Sequence, residues 1–134
     1  MSYASKAYAN NQIETDVLVL SPEDLILLVY ERIFENLRFG KKEFEMGKYG
    51  ISFFNKASDL INYGLLSSLD HQKGGLIASN LELIYKWALQ EIIVARVQKS
   101  PQKIDEIIDT LKPLYEAWQL LSLKGKKNKE VYSI

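Results

Sequence analysis

Apolar residues recur every three or four positions in four stretches of the chain, and each stretch is bounded by residues that start or stop a helix. The first begins at Ser21-Pro22-Glu23-Asp24. Ser21 suits the N-cap, Pro22 sits where a missing N–H costs nothing, and two acids lie at the positive end of the helix dipole. From there Leu25, Leu28, Val29, Ile33 and Leu37 form one stripe, and Ile26, Leu27, Tyr30 and Phe34 form another. Together they are wider than a single bundle seam requires, so this helix is expected to touch partners on two sides. Gly40, Gly47 and Gly50 mark its weakening and the turn that follows, with Phe44 still open to a helical last stretch.

The second helix is expected from about Ile51 to Leu69, with Phe53, Phe54, Ala57, Leu60, Ile61 and Leu65 at helical spacing. Gly74-Gly75 then breaks the chain before a third helix. That helix carries Ile77, Leu81, Ile84, Ala88, Ile92 and Ala95 on one stripe and Ala78, Tyr85, Leu89 and Ile93 on its neighbour. Glu82 and Lys86 form a favourable i,i+4 pair. Ser100-Pro101 repeats the cap signal, and Ile104, Ile107, Ile108, Leu111, Leu114, Tyr115, Trp118 and Leu121 follow. Pro113 lies inside this pattern and is expected to kink the helix.

Helices joined by short connections must run back along each other, which predicts an all-α fold, an antiparallel four-helix bundle with an extended N-terminal arm. The boundaries follow: an arm over 1–20, a bundle over 21–123 and a polar basic tail over 124–134. Val17 to Leu20 is β-prone by residue type, but a lone strand has nothing to pair with, so it reads as an extended apolar strap.

Composition narrows the function. With 17 basic and 17 acidic residues in 134, the formal charge is zero and no global field draws in a polyanion, which argues against a nucleic-acid partner. The local excess at Lys124, Lys126, Lys127 and Lys129 reads as a solvated tail. Neither an export signal nor a membrane-spanning segment is visible, so no membrane insertion is expected and the cytoplasm is the default location. Cysteine is absent, which removes thiolate catalysis, disulfides and zinc–thiolate sites together. A bundle-type di-metal site needs two Glu-x-x-His motifs, yet the chain has one histidine, His71, read as a loop residue without a role. No triad, phosphate loop or dinucleotide fingerprint is present, so no cofactor and no enzymatic activity are expected.

Hydrophobic surface is what remains in excess. Eight tyrosines, five phenylalanines and two tryptophans are many for so small a bundle, and Tyr30, Phe34, Tyr63, Tyr85, Trp87 and Tyr115 fall outside the main stripes. Such residues flank a core or line a groove in which an amphipathic helix from a partner docks.

Several segments resemble one family. Ser21-Pro22-Glu23-Asp24 running through Leu25-Ile26-Leu27-Leu28-Val29-Tyr30 is similar to the opening helix of FliS, the flagellar export chaperone. Leu69-Asp70, Lys73-Gly74-Gly75, Ile77-Ala78, Asn80-Leu81 and Tyr85 resemble the family's junction into its third helix, and Trp118 stands where the family has a late tryptophan. Ala7-Tyr8 resembles its tyrosine-bearing arm. The likeness spans about residues 7 to 121. It implies a four-helix bundle that binds the disordered C-terminal segment of flagellin, prevents premature polymerisation and supports delivery to the flagellar export gate.

On that footing Tyr8, Tyr30, Phe34, Tyr85, Leu89, Ile93 and Tyr115 are expected on the client-binding surface, with Leu81, Ala88 and Leu111 in the core. Tyr8 is expected to cover part of the groove until the client arrives. Departures from the family pattern include Leu18-Val19-Leu20 before the Ser-Pro start, Arg32, Arg96 and Pro113. Two other readings stand beside the chaperone: a structural homo-oligomer, such as a homodimer burying the surplus aromatics, and a divergent paralogue with another flagellar client.

Overall fold

The structure, a computed structural model, describes residues 20–132, with side chains as far as 126. Tyr8 and the strap residues before Leu20 lie outside the described residues. Four helices follow in order: α1, Pro22–Glu45; α2, Ile51–Asp59, continued by a π-helical stretch Leu60–Leu65 and a short 3-10 turn Leu66–Ser68; α3, His71–Gln98; and α4, Pro101–Tyr132. No strand occurs among the described residues.

The start of α1 is as its sequence implies, with the Asp24 N–H donating to the Ser21 hydroxyl at 3.1 Å. The helix does not weaken at Gly40 but runs on to Glu45, carrying Phe44 into the core. Gly40 has a packing reason instead. A Cβ there would lie 2.4 Å from the Phe54 ring, so the absence of a side chain lets that fully buried ring rest on the α1 backbone. Gly50 closes the same contact: at φ 62° it adopts the left-handed backbone that starts α2, and a Cβ on it would sit 2.9 Å from the Gly40 Cα.

The second helix is not one regular α-helix to Leu69 as its spacing suggested. Past Asp59 it widens into the π turn and then tightens, and the Ser67 and Ser68 hydroxyls donate back to the carbonyls of Tyr63 and Gly64. Such back-bonds compete with the regular ladder and favour irregular turns. The break before α3 also differs from expectation. Asp70 caps the helix by accepting from the Gln72 and Lys73 N–H groups at 3.1 and 3.0 Å, so one turn precedes the glycines. The discontinuity falls at Gly75, whose φ of 50° and ψ of −123° suit glycine alone. His71 is therefore a helical residue, with Nε2 3.6 Å from the Glu82 carboxylate, and Glu82 pairs with Lys86 at 2.8 Å as its spacing predicted. At the last junction the Lys103 N–H donates to Ser100 Oγ, and α4 continues past Pro113 and through the segment read as a tail.

Three contacts fix the directions. Lys41 at the end of α1 meets Asp105 at the start of α4, at 2.8 Å. Ser122, far along α4, donates to Asp24 at the start of α1, at 2.6 Å. Arg96 near the end of α3 donates to Asn55 near the start of α2. The helices alternate in direction, and the antiparallel four-helix bundle is as predicted. Both α1 and α3 pack on α2 and α4, which puts α1 and α3 on one diagonal of a square. The core between them holds Val29, Ile33, Leu37, Phe54, Ala57, Ile61, Ala88, Ile92, Ile104, Ile107 and Leu111.

Candidate protein-docking surfaces

The wide apolar coverage of α1 resolves into two layers. Tyr30, fully buried, donates to or accepts from the Tyr85 hydroxyl at 2.5 Å across the diagonal of the bundle. Phe34 and Tyr115 close on it, with ring centroids 6.1 Å from Tyr30 to each and 5.7 Å from each other in an edge-on arrangement. Tyr30 and Tyr85 therefore lie in the core, not on the surface the sequence suggested, while Phe34 is mostly buried and shows only an edge to the seam, because a two-sided helix in a bundle this small turns its second stripe inward as well. Burial pushes both buried hydroxyls above the usual tyrosine pKa, and for Tyr30 the neighbouring Tyr85 adds to the shift. Leu81 and Leu89 are half-buried against the core, while Ala88 and Leu111 are fully buried as expected.

Above this cluster a furrow follows the α1/α4 seam. One part, about 220 Å³, is lined by Glu31, Phe34, Arg38, Ile108, Lys112 and Tyr115. Another, about 560 Å³, is lined by Asp24, Leu27, Glu116, Gln119, Leu120, Ser122, Leu123 and Lys126. The α1 wall therefore runs from Asp24 to Arg38, about 21 Å at 1.5 Å per residue, which is some four turns of a docked helix. Its floor is apolar and its rims carry both signs of charge. Burial raises the Glu31 carboxyl above its ordinary pKa despite Arg32, and burial followed by the Glu31 charge raises Tyr115. Those two groups confront each other across the furrow. Ser122, then Ser21 and Lys126, hold Asp24 below its usual value against the opposing effect of burial.

Ile93 belongs elsewhere. It lies with Tyr49, Ile51, Arg96 and Val97 around a hollow of about 330 Å³ between the start of α2 and the end of α3. Ile93 and Val97 are 60% and 77% exposed, far beyond what a bundle core requires. Leu76, Ile77 and Leu83 extend the exposed apolar character along α3. Since α1 and α3 are diagonal, the α1/α4 furrow and the α2/α3 hollow face opposite sides of the bundle.

The expected set thus divides. Phe34 and Tyr115 line the furrow, Tyr30 and Tyr85 support it from within, Leu89 is half-buried on α3, and Ile93 sits on the far side. Leu27, Leu120, Leu123, Tyr49, Ile51 and Val97 were missed. Leu27 had a signal, since its stripe adjoins Phe34. Tyr49, Ile51 and Val97 lie at or beside helix ends, where periodicity is short and gives no face, and Leu120 and Leu123 stand in the run Leu120-Leu121-Ser122-Leu123, whose spacing assigns no single face.

Among the described residues no cluster of three or more His, Cys, Asp or Glu is placed to hold a metal, and no helix is long and apolar enough to cross a membrane. Residues 4–125 match the family model described as Flagellar protein FliS. The chain is 31% identical over 122 residues to the flagellar secretion chaperone FliS of Salmonella typhimurium, covering 90% of each chain. It is 32% identical over 120 residues to the FliS of Campylobacter jejuni, covering 87% of this chain and 88% of that one, and 27% identical over 115 residues to the FliS of Vibrio cholerae, covering 84% of each. With the family match spanning nearly the whole bundle, the chain belongs to the FliS family of flagellar secretion chaperones.

Proposed function

We propose that this protein binds the C-terminal segment of a flagellin in the cytoplasm, keeps it from polymerising and carries it to the flagellar export gate. The observation that carries this reading is the pair of exposed apolar surfaces on opposite sides of one bundle, the α1/α4 furrow and the α2/α3 hollow. A compact partner covers one side of a domain this small, whereas an unfolded segment can wrap to reach both. The furrow suits a stretch of client that becomes helical, with apolar anchors at i, i+3, i+4 and i+7 on its floor. Phe34 and Tyr115 are the anchors' partners in the furrow, and Ile93 and Val97 in the hollow. Tyr30 and Tyr85 stiffen the furrow from below, and Tyr8 would act from the arm. Occupying the apolar face of the client prevents its assembly with other flagellins without any bond chemistry.

Titration of the protein with a peptide of a flagellin C-terminal segment tests the reading. Saturable binding with a large negative heat-capacity change and a gain of helix by circular dichroism is expected. A heat-capacity change near zero with no added helix refutes the wrapped client.

A further inference from the structure

A separate cavity of about 320 Å³ opens where the start of α1, the irregular end of α2 and the middle of α3 and α4 meet, lined by Pro22, Leu25, Ile26, Leu65 and Leu69 together with Glu23, Ser68, Tyr85 and Trp118. Its size and largely apolar wall with a few converging polar groups match small-molecule pockets. One wall is the 3-10 turn that follows the π-helical stretch, the kind of irregular backbone that recurs at binding sites.

The hydrogen-bond inventory at Tyr85 is unbalanced. Among the described residues the Tyr30 and Tyr85 hydroxyls share one hydrogen bond, which uses one of their two protons. One hydroxyl proton is left over. When Tyr30 donates to Tyr85, that proton is on Tyr85, which is 98% buried (2% exposed) and borders the cavity. A buried donor without an acceptor is costly, and an acceptor placed in the cavity would complete the chain of hydrogen bonds.

We propose that this cavity is a binding site for a small, neutral, largely apolar molecule that presents one acceptor oxygen to the Tyr85 hydroxyl. A ring-sized body fits between the aliphatic wall and the Trp118 and Tyr85 rings, while a carboxylate is disfavoured by the neighbouring Glu23 and the apolar wall. Its lining shares no residue with the linings of the furrow or the hollow.

Acetophenone and α-methylstyrene, which differ by an acceptor oxygen against a CH₂ group, test this on the ¹⁵N-labelled full-length protein, with the Trp118 indole N–H signal as reporter. Acetophenone is expected to shift that signal saturably and to bind roughly five- to tenfold more tightly than α-methylstyrene, the equivalent of one net hydrogen bond. Tyr85→Phe should abolish the preference while leaving both to bind weakly. No shift with either probe, equal affinities in the wild type, or a preference that persists in Tyr85→Phe overturns the proposal. The wild-type comparison decides even where the variant is poorly folded.

Discussion

The hydroxyl pair Tyr30–Tyr85 allows a prediction in which the double substitution costs less than its parts imply. Both rings are buried, and the two oxygens lie 2.5 Å apart across the bundle. Replacing either residue by phenylalanine keeps the ring and its packing and removes one oxygen, leaving the other hydroxyl in a low-dielectric site. An orphaned buried group costs about 1–3 kcal/mol, and because Trp118 still faces the survivor, the lower half of that range applies. Tyr30→Phe and Tyr85→Phe should each destabilise by about 1–2 kcal/mol. In the double variant no hydroxyl remains to be desolvated, so its cost should match one single substitution and give a coupling of about 1–2 kcal/mol. Guanidinium chloride unfolding followed by far-UV circular dichroism at neutral pH measures all four species without depending on Trp118 fluorescence. Additive costs in the double variant would refute the claim that the two hydroxyls are bonded to each other.

Gly40→Ala should be destabilising, because overpacking against Phe54 costs about 1–3 kcal/mol and outweighs the helix propensity gain of about 1 kcal/mol; the same change at Gly125, where a Cβ meets nothing within 4 Å, should be neutral or stabilising in urea unfolding. Leu111→Ala should cost about 2–5 kcal/mol of stability, whereas Tyr115→Ala should mainly weaken binding of a flagellin C-terminal peptide, by about 1–2 kcal/mol in calorimetry; equal losses of fold stability would undo the furrow assignment. Asp24 is held below its ordinary value of 3.8, chiefly by Ser122. Since the folded form has the lower pKa, its contribution is complete above that ordinary value and disappears as pH falls through the depressed one. An acid titration of unfolding stability should therefore show a shallower decline below about pH 4 in Asp24→Asn than in the wild type.

The bundle could be read from the sequence because each helix start carries its own chemistry: Ser21 and Ser100 cap in the structure as their positions before proline imply. What was missed depended on neighbours that local pattern does not encode. Gly40 read as a weakening of the helix, yet its meaning comes from Phe54, a residue on another helix. At Gly74-Gly75 two signals competed, and the Asp70 cap moved the helix start ahead of the glycines. The irregular end of α2 gave no periodic sign, since Leu60, Ile61 and Leu65 suit a regular helix equally well. Tyr30 and Tyr85 could not be separated from surface aromatics by spacing, because an inward second stripe and a groove-lining one have the same period. Phe34 and Tyr115 share that period, and which stripe borders the furrow is settled only by where α4 lies against α1.

The uneven anchoring of α4 has a consequence for how the furrow behaves in time. Its first part is held by Ile104, Ile107, Ile108 and Leu111, all buried, whereas from 112 to 126 Ser122 is the one buried side chain and Leu120, Leu121 and Leu123 face outward. Opening free energies follow buried contact, so amide protection should fall along the helix from near-global values before Leu111 to small ones beyond Trp118. The α1 wall is backed by Val29, Tyr30, Ile33 and Leu37 along most of its length and is merely half-buried over 24–28. The furrow is therefore a jaw hinged at one end, narrow and unyielding at Ile108 and adjustable at Leu123. Its tight end is suited to selecting a side chain, and its loose end to admitting sequences that differ.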